Sequence, residues 1–452
     1  MVFLGYLVWA LGGCDAAGDT GATPDFIPRG ELKLVPNAAI VTYYEASWTT
    51  EVSGPTRLEI DDGDEPLFVT DWFTGTDVLH VPVLGVWPSH PFTARLVDEE
   101  GGLIARETFT TEAGPTDLSR MTVSGEATWE GYLLTEIATS DVQTVMILAP
   151  SGKPVWYWQL TGNYVVRTLL RRDGLGVWVL GMPGFTIGVR GWIGSVAWDG
   201  TMLMDLTPVG HDGEGATHDI YELEDGRLVF IAPDTRNVDG VDYAGDTIYA
   251  LETDGAETAL WSFWDEFAPD DTVVAPLSWT HANALRWNND RQTLWVGSRD
   301  LNMLVELDPK LWRMVNQLGG VEPTFHLAPG TVPPKGQHQF DFRHSRLAMH
   351  DNRDATVGTR LAIYDLDFSE QLPSAEETFE YVPEPTIYDF VMGDVTWLDD
   401  ERLITTWSTT GILEERHLDG DAPWSITLDL GSVFPYTQHV DALPGCLPVS
   451  VD

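Results

Sequence analysis

A strand–turn–strand unit recurs along most of the 452-residue chain, and this repetition restricts the folds that the sequence can adopt. In each copy, two segments rich in β-forming residues flank a tight polar turn, which is typical of a β-hairpin. Further strand-like segments follow every copy, so one complete unit holds about four strands. The best-defined copies are THDIYELEDGRLVFIA from Thr217, THANALRWNNDRQTLWVGSR from Thr280, GQHQFDFRHSRLAMHDN from Gly336 and MGDVTWLDDERLITTWS from Met392.

The number and spacing of the units predict a closed ring of sheets. His218 and His281 begin successive copies and lie 63 residues apart. Two further copies begin at Tyr164 and Gly131. About six units of four strands predict an all-β fold, a six-bladed β-propeller over residues 115–452. Closing the ring removes exposed sheet edges, and the tail from Val433 is expected to take part in the closure.

The segment 31–114 precedes the repeat and has a different pattern. Short alternating segments separated by turn residues predict a small β-sandwich of the immunoglobulin or fibronectin type III kind. The stretch VLGVWPSHPFTARLVDEEG resembles the late strands of a fibronectin type III domain, and Trp48 is the expected core tryptophan. Phe92 stands where that fold usually carries a tyrosine.

Residues 1–14 have the pattern of an export signal. The run VFLGYLVWALGGC is apolar and ends in small residues, and it is too short to span a bilayer. Its last four residues, ending at Cys14, resemble a bacterial lipobox, which predicts cleavage before Cys14 and attachment of lipid to it. The alternative is a cleaved secretory signal without lipid. Residues 15–30 are small and polar and predict a flexible tether, so the protein is expected in the cell envelope, in the periplasm or at the cell surface.

The charge balance excludes one class of partner. The chain has 25 Lys and Arg against 70 Asp and Glu, a net charge of −45. Such a surface repels phosphate backbones, so no nucleic-acid partner is expected. Two cysteines offer neither a disulfide framework nor a cysteine-based metal site. Because cations are scarce, each arginine or histidine placed within a strand pattern carries more information.

Three histidines share one position in the repeat. His218, His281 and His338 each stand at the start of the first strand of a copy, which in a propeller lines the central channel. They are therefore expected to converge at one mouth of that channel. Asn283 lies two residues after His281 and so on the same face of its strand. Arg299 ends the neighbouring strand, and the hairpin returns it to the level of His281.

This set of residue types suits the transfer of an anionic tetrahedral group. The guanidinium of Arg299 offers a planar pair of donors to an oxyanion, and the Asn283 amide and protonated histidines add further donors. A neutral histidine can act as a nucleophile. Three histidines could instead bind a metal, but the charge of Arg299 disfavours a dication beside it. No carboxylate accompanies the three histidines either, because Asp219, next to His218, is expected on the opposite face. No metal and no cofactor are therefore predicted.

The quoted repeat copies resemble the bacterial arylsulfotransferases that use an aryl sulfate as donor, over roughly residues 115–430. The resemblance implies a six-bladed propeller after an N-terminal β-sandwich. It also implies a transiently sulfated nucleophile at His338, with His218, His281, Asn283 and Arg299 as the sulfuryl-binding and acid–base positions. One departure is Ser278, which stands where an acidic residue commonly precedes the tryptophan of the W-x-H-x-N motif.

The sequence therefore predicts a sulfotransferase that moves a sulfuryl group between phenolic compounds by a two-step route. Its expected partners are aryl sulfates and phenols, with membrane contact only through the lipid anchor. The N-terminal sandwich is expected to pack on the propeller or to support a homodimer. Two alternatives remain open at this point, a metal-dependent propeller hydrolase or lyase and a non-catalytic binding propeller on the cell surface.

Overall fold

The computed structural model describes residues 26–63, 66–184, 191–210, 213, 215–269 and 275–444, and it confirms the predicted all-β fold. The first seven strands are β1 (Gly30–Pro36), β2 (Tyr44–Thr50), β3 (Thr56–Asp61), β4 (Pro66–Val69), β5 (Asp77–Val83), β6 (Pro91–Asp98) and β7 (Leu103–Thr110). They form two antiparallel sheets with the strand orders β1-β2-β5 and β4-β3-β6-β7.

The two N-terminal sheets contribute to one apolar core. Trp48 of β2 is buried in this core, as predicted, and its ring lies edge-on to Phe73. The Trp48 Nε1–H donates to the Thr56 hydroxyl at 3.0 Å, which satisfies the indole donor away from water. The Val41 amide donates to the hydroxyl of Tyr157 at 3.0 Å, so this part of the chain also contacts the first repeat unit.

The remaining strands follow the predicted repeat. They are β8 (Met121–Gly125), β9 (Tyr132–Ala138), β10 (Val142–Leu148), β11 (Pro154–Thr161), β12 (Tyr164–Leu170), β13 (Gly176–Met182), β14 (Trp192–Ala197), β15 (Met202–Leu206), β16 (Thr217–Glu222), β17 (Leu228–Val238), β18 (Val241–Leu251), β19 (Glu257–Ser262), β20 (Ala282–Asn288), β21 (Thr293–Ser298), β22 (Met303–Asp308), β23 (Arg313–Gly319), β24 (His326–Leu327), β25 (Phe340–Arg343), β26 (Arg346–Asp351), β27 (Arg360–Asp367), β28 (Ser374–Tyr381), β29 (Asp394–Trp397), β30 (Arg402–Trp407), β31 (Ile412–His417), β32 (Trp424–Leu428) and β33 (Thr437–Val440). The helices of the described residues are short: one α-helix (α1, Phe263–Glu266) and 3₁₀ helices at Thr116–Arg120, Pro276–Ser278 and Ser408–Thr410.

These strands build six sheets, and each sheet is made mainly of consecutive strands. The orders are β11-β10-β9-β33, β12-β13-β14-β15, β16-β17-β18-β19, β20-β21-β22-β23, β24-β28-β27-β26-β25 and β29-β30-β31-β32-β8. The first strand of each sheet contacts the first strand of the next, in the sequence β9, β12, β16, β20, β25 and β29. Strand β29 then contacts β33, which pairs with β9, so the first strands follow one another in cyclic order.

The two ends of the repeat are tied together by exchanged strands. The C-terminal strand β33 joins the first sheet, with Thr437 opposite Thr135. The early strand β8 completes the last sheet, with Met121 opposite Leu428. The first pairing places the tail after Val433 against the first sheet, and both pairings cover sheet edges that would otherwise be open.

A closed ring of buried ion pairs connects four of the first strands. Arg167 of β12 lies 3.1 Å from a carboxylate oxygen of Asp219 (β16) and 3.3 Å from one of Asp394 (β29). Arg286 of β20 lies 3.4 Å from Asp219 and 3.3 Å from Asp394. Each arginine thus contacts both aspartates, and all four side chains are buried. Charges removed from water need such partners, so the ring fixes these strands relative to one another.

Candidate active site

His218 and His281 occupy equivalent places at the start of two neighbouring sheets. His218 is the second residue of β16, and His281 directly precedes β20. Both have a left-handed backbone, with φ of 56° and 44°. This conformation costs a non-glycine residue about 1–2 kcal/mol and often marks a functional position. The two imidazole rings lie with centroids 4.7 Å apart, so the structure brings together two of the histidines predicted to converge.

Arg299 lies beside this histidine pair. It follows the last residue of β21, and its backbone N–H donates to the His281 carbonyl at 3.0 Å, as the predicted hairpin geometry requires. Its guanidinium donates to Asp300 at 2.8 Å and remains about a third exposed. Since one carboxylate uses only part of the five-donor guanidinium, Arg299 keeps donors for an anionic ligand.

His338 is held by the two glutamines that flank it. The Gln337 side chain donates to the carbonyl oxygens of Ser298 and Met303, both at 2.9 Å. The Gln339 side chain donates to the Asp219 carboxylate at 3.1 Å, which connects the backbone beside His338 to the ring of buried ion pairs. His338 itself is only 4% exposed. These bonds to neighbouring sheets fix the backbone that presents its imidazole.

Asn283, predicted to be a substrate-binding donor, lies in the interior beside His338. It is fully buried, and its amide nitrogen donates to the Gln337 carbonyl at 2.9 Å. In this position Asn283 supports the backbone next to His338. Strand β20 contacts β25, the first strand of the next sheet, which directly follows the segment that holds Gln337 and His338.

Two polar partners of the histidines were not assigned from the sequence. The Oδ1 of Asn352 lies 2.9 Å from Nδ1 of His338, and the hydroxyl of Ser278 lies 2.7 Å from Nδ1 of His281. Asn352 directly follows the second strand of its copy, the same place that Arg299 holds in the preceding copy. That shared position was the signal in the sequence that could have identified Asn352.

The electrostatic environment keeps all three imidazoles neutral at neutral pH. Burial lowers the pKa of His218 to about 4 and that of His338 to about 3, and the charge of Arg299 adds to both effects. Burial, with contributions from His218 and Arg299, holds the pKa of His281 well below its usual range. A neutral imidazole has a free lone pair, so each ring can act as a nucleophile or a proton acceptor.

A further histidine lies next to the cluster, since the His338 amide donates to the His350 carbonyl at 3.1 Å. His350 is fully buried, with Nε2 3.3 Å from an oxygen of Asp389. Within the described ranges, no group of three or more His, Cys, Asp or Glu side chains is arranged to hold a metal ion. Also within those ranges, no helix is long and apolar enough to cross a bilayer.

The arylsulfotransferase (ASST) family model matches residues 132–364, just over half of the chain. The chain belongs to the arylsulfotransferase family. A transferase activity of the sulfotransferase class follows from this membership in general terms. The matched segment of this arylsulfotransferase contains His218, His281, Asn283, Arg299, His338 and Asn352.

Several solved structures are distantly similar to this arylsulfotransferase. A protein of unknown function from Bacteroides caccae is 12% identical over 68% of this chain and 98% of its own, with a TM-score of 0.43. An auxiliary nutrient binding protein from Bacteroides ovatus is 8% identical over 89% of this chain and 86% of its own, with a TM-score of 0.40. A chain of a nidogen/laminin complex is 12% identical over 69% of this chain and 99% of its own, with a TM-score of 0.42. No curated protein sequence matches the chain.

Proposed function

We propose that this arylsulfotransferase moves a sulfuryl group from an aryl sulfate to a phenolic acceptor in two steps, through a sulfated His338. The observation that carries the proposal is the grouping of a buried His338 with His218, His281 and the partly exposed Arg299, because the charge of Arg299 acts on all three imidazoles and the His218 and His281 rings are in contact. A nucleophile, two titratable groups and a cation with donors to spare are the parts that group transfer requires.

In the first step, a lone pair on the His338 imidazole attacks the sulfur of the donor. A nitrogen–sulfur bond forms while the bond from sulfur to the aryl oxygen breaks, and the electron pair leaves with the phenolate. Arg299 binds the sulfuryl oxygens, whose charge must be balanced as sulfur passes between oxygen and nitrogen. His218 or His281 donates a proton to the leaving phenolate.

In the second step, the hydroxyl of the acceptor phenol attacks the sulfur on His338. The proton of the hydroxyl passes to the histidine that protonated the first phenolate, and the electron pair of the nitrogen–sulfur bond returns to His338. The site is then restored, and atoms and charges balance over the cycle. The acceptor enters after the donor phenol has left, which is a ping-pong sequence.

The low pKa values of the histidines are compatible with this proton transfer. In the free site, burial is the main cause that disfavours a protonated His218 or His281, and the positive charge of Arg299 adds to it. A bound sulfate ester brings a negative charge into the cluster and offsets the contribution of Arg299, so the pKa of its histidine neighbours rises. This rise makes it easier for one of them to take a proton from solvent and pass it to the leaving phenolate.

The proposed architecture is a six-bladed β-propeller over residues 115–452, preceded by a β-sandwich over residues 31–114. The cyclic contacts of the first strands and the exchange of β8 and β33 support the propeller. The shared core of the two N-terminal sheets supports the sandwich. In this architecture the histidines stand at the channel mouth and the ring of buried ion pairs lies below them.

A direct assay tests the proposed activity. Purified protein is incubated with a chromogenic aryl sulfate, with and without a second phenol, and phenol release and the new aryl sulfate are both quantified. Transfer to the added phenol supports the sulfotransferase. Cleavage without transfer that is abolished by a chelator would favour the metal-dependent hydrolase, and binding without turnover would favour the binding propeller.

We also propose export with a lipid anchor at Cys14. The supporting pattern, residues 11–14 and the tether behind them, lies outside the described residues. Cys14→Ser should move the protein from the membrane fraction to the soluble fraction of the cell envelope. Equal membrane retention of the variant and the wild type would contradict the anchor and leave a simple cleaved signal. Stable anchoring by lipid needs more than one acyl chain.

A further inference from the structure

The side chain of Asn352 connects the ring of His338 to the backbone of the 389–392 segment. It follows β26 and is 3% exposed, and its Oδ1 lies 2.9 Å from Nδ1 of His338. This is the one hydrogen bond that the described structure gives to the His338 ring. The contact therefore bears on which ring nitrogen carries the proton.

The amide nitrogen of Asn352 fixes the orientation of its side chain. Its nitrogen donates to the carbonyl oxygen of Asp389 at 2.8 Å and to that of Met392 at 2.9 Å. Two carbonyl oxygens can be paired only by an NH₂ group, so the amide oxygen must face His338. An amide oxygen only accepts, and Nδ1 of His338 is therefore the nitrogen that holds the hydrogen.

The segment that supplies these carbonyls is itself anchored. The Asp389 amide donates to the Thr359 hydroxyl at 2.8 Å, and that hydroxyl donates to the Asn352 carbonyl at 3.2 Å. The Thr409 amide donates to the Asp389 carboxylate at 2.8 Å. Asn352 is thus held by a closed set of bonds and cannot rotate to offer its NH₂ to His338 without breaking two of them.

We propose that Asn352 is a positioning residue that keeps the proton of His338 on Nδ1, so that Nε2 is the nitrogen that attacks sulfur. The inference rests on the proposed function. Through attack, the lone pair of Nε2 becomes the nitrogen–sulfur bond and the hydrogen on Nδ1 stays in place. The ring then carries a positive charge, and the Asn352 oxygen stabilises it through the same hydrogen bond. Asn352 touches no reacting atom and acts through His338.

The test measures the tautomer directly in the substrate-free protein. Protein labelled with ¹⁵N at histidine is compared by NMR for the wild type, Asn352→Leu and Asn352→Asp, with His338→Gln to assign the signals. Leu keeps the volume of Asn and removes the acceptor, whereas Asp keeps an acceptor. The matched control is Asn288→Leu, because Asn288 is equally buried but accepts from turn amides at the opposite end of β20.

We expect the wild type and Asn352→Asp to show His338 protonated on Nδ1 and bare on Nε2. Asn352→Leu should shift the proton to Nε2 in part of the population. It should also slow donor cleavage by about 10- to 100-fold, the range seen when the partner that fixes a metal-bound histidine is removed. Asn288→Leu should change neither the tautomer nor the cleavage rate of the folded protein.

A wild-type His338 protonated on Nε2 would overturn the proposal. So would an Asn352→Leu protein with an unchanged tautomer and unchanged cleavage. If the proposed function is wrong and this inference is right, the result looks different. His338 would still be protonated on Nδ1, but no sulfuryl group would appear on it after exposure to donor. After reaction with donor, a sulfuryl group on Nδ1 would likewise contradict the assignment and leave the two-step route intact.

Discussion

The imidazole rings of His218 and His281 lie with centroids 4.7 Å apart, although the two residues belong to different β-sheets. If either ring protonates the departing phenolate, its loss should matter most when the phenol is a poor leaving group. His218→Gln and His281→Gln are therefore compared with donors whose phenols differ in pKa. The variant that lacks the acid should lose roughly 100- to 10,000-fold on the more basic phenol and much less on nitrophenol.

The control for this comparison is His344→Gln, because His344 is two-thirds exposed and lies at a hairpin turn away from the cluster. It should leave both rates unchanged. An equal loss on both donors in His218→Gln and His281→Gln would show that these residues bind the substrate and do not supply the proton.

Because the pKa values of the histidines are lowered, kcat/KM for the donor should be kept at a lower pH than in a site whose histidines have their ordinary pKa. Burial and Arg299 lower the pKa of His218 to about 4 and that of His338 to about 3. The nucleophile therefore stays unprotonated, and kcat/KM for the donor should not fall between pH 7 and about pH 5. A fall centred near pH 6.5, the ordinary value for histidine, would contradict this environment.

Arg299→Gln should move the acid limb of the pH profile of kcat/KM for the donor to higher pH. Removing a positive charge stabilises the protonated imidazoles, so the pKa of each histidine rises and the acid limb moves to higher pH. The loss of the oxyanion donor should also reduce kcat/KM by about 100- to 1,000-fold. Arg346→Gln is the control, since Arg346 begins β26 at the opposite end of its hairpin from Asn352.

The ring of buried ion pairs predicts that replacing a buried arginine lowers the free energy of unfolding far more than replacing an exposed one. Arg167→Met leaves Asp219 and Asp394 each short of a partner in the interior and should lower the free energy of unfolding by about 3–5 kcal/mol. Arg227→Met removes a pair with the exposed side chain of Asp225 and should cost about 1 kcal/mol or less. Urea unfolding of both variants tests this, and equal losses would contradict a stabilising ring.

Glu136 predicts a separate dependence of stability on pH. It lies on β9, and neither carboxylate oxygen has a hydrogen-bond partner in the described structure. Burial raises its pKa from about 4.5 to about 8, opposed by Arg167. Folding thus favours the protonated form, and the contribution of Glu136 to stability is present below pH 4.5 and lost as the pH rises toward and through 8.

Glu136→Gln should remove that loss, because glutamine has nearly the same shape and does not ionise. As the pH rises from 5 to 9, the free energy of unfolding of the wild type should therefore fall relative to that of the variant. A difference that stays constant over this interval would mean that Glu136 is ionised in the folded protein at all these pH values.

Much of the fold could be predicted because its signal is local. Alternation of apolar and polar residues repeats in every hairpin, so the copies from Thr217, Thr280 and Gly336 each match a strand pair. The shared phase of His218 and His281 then placed them near one another, because equivalent positions in successive copies face the same space. The hairpin likewise placed Arg299 at the level of His281.

The rest depends on contacts between distant segments, for which the sequence has no local signal. Asn283 donates to Gln337, 54 residues away, and Arg167 contacts Asp394 across 227 residues. Asn352 does have a signal in its position after the second strand of its copy, but a lone asparagine after a strand is ordinary in a turn, so that signal alone gives it no role. Its significance depends on the orientation of its amide, which only its partners on the 389–392 segment fix.

The most direct test of the account is mass spectrometry of the protein after exposure to an aryl sulfate in the absence of acceptor. The peptide that contains Gln337 and His338 should gain the mass of one sulfuryl group, and an added phenol should remove it. His338→Ala protein, shown to be folded, should neither gain the mass nor transfer to phenol. Robust transfer by folded His338→Ala protein, or transfer by the wild type without any adduct at His338, would contradict the covalent route.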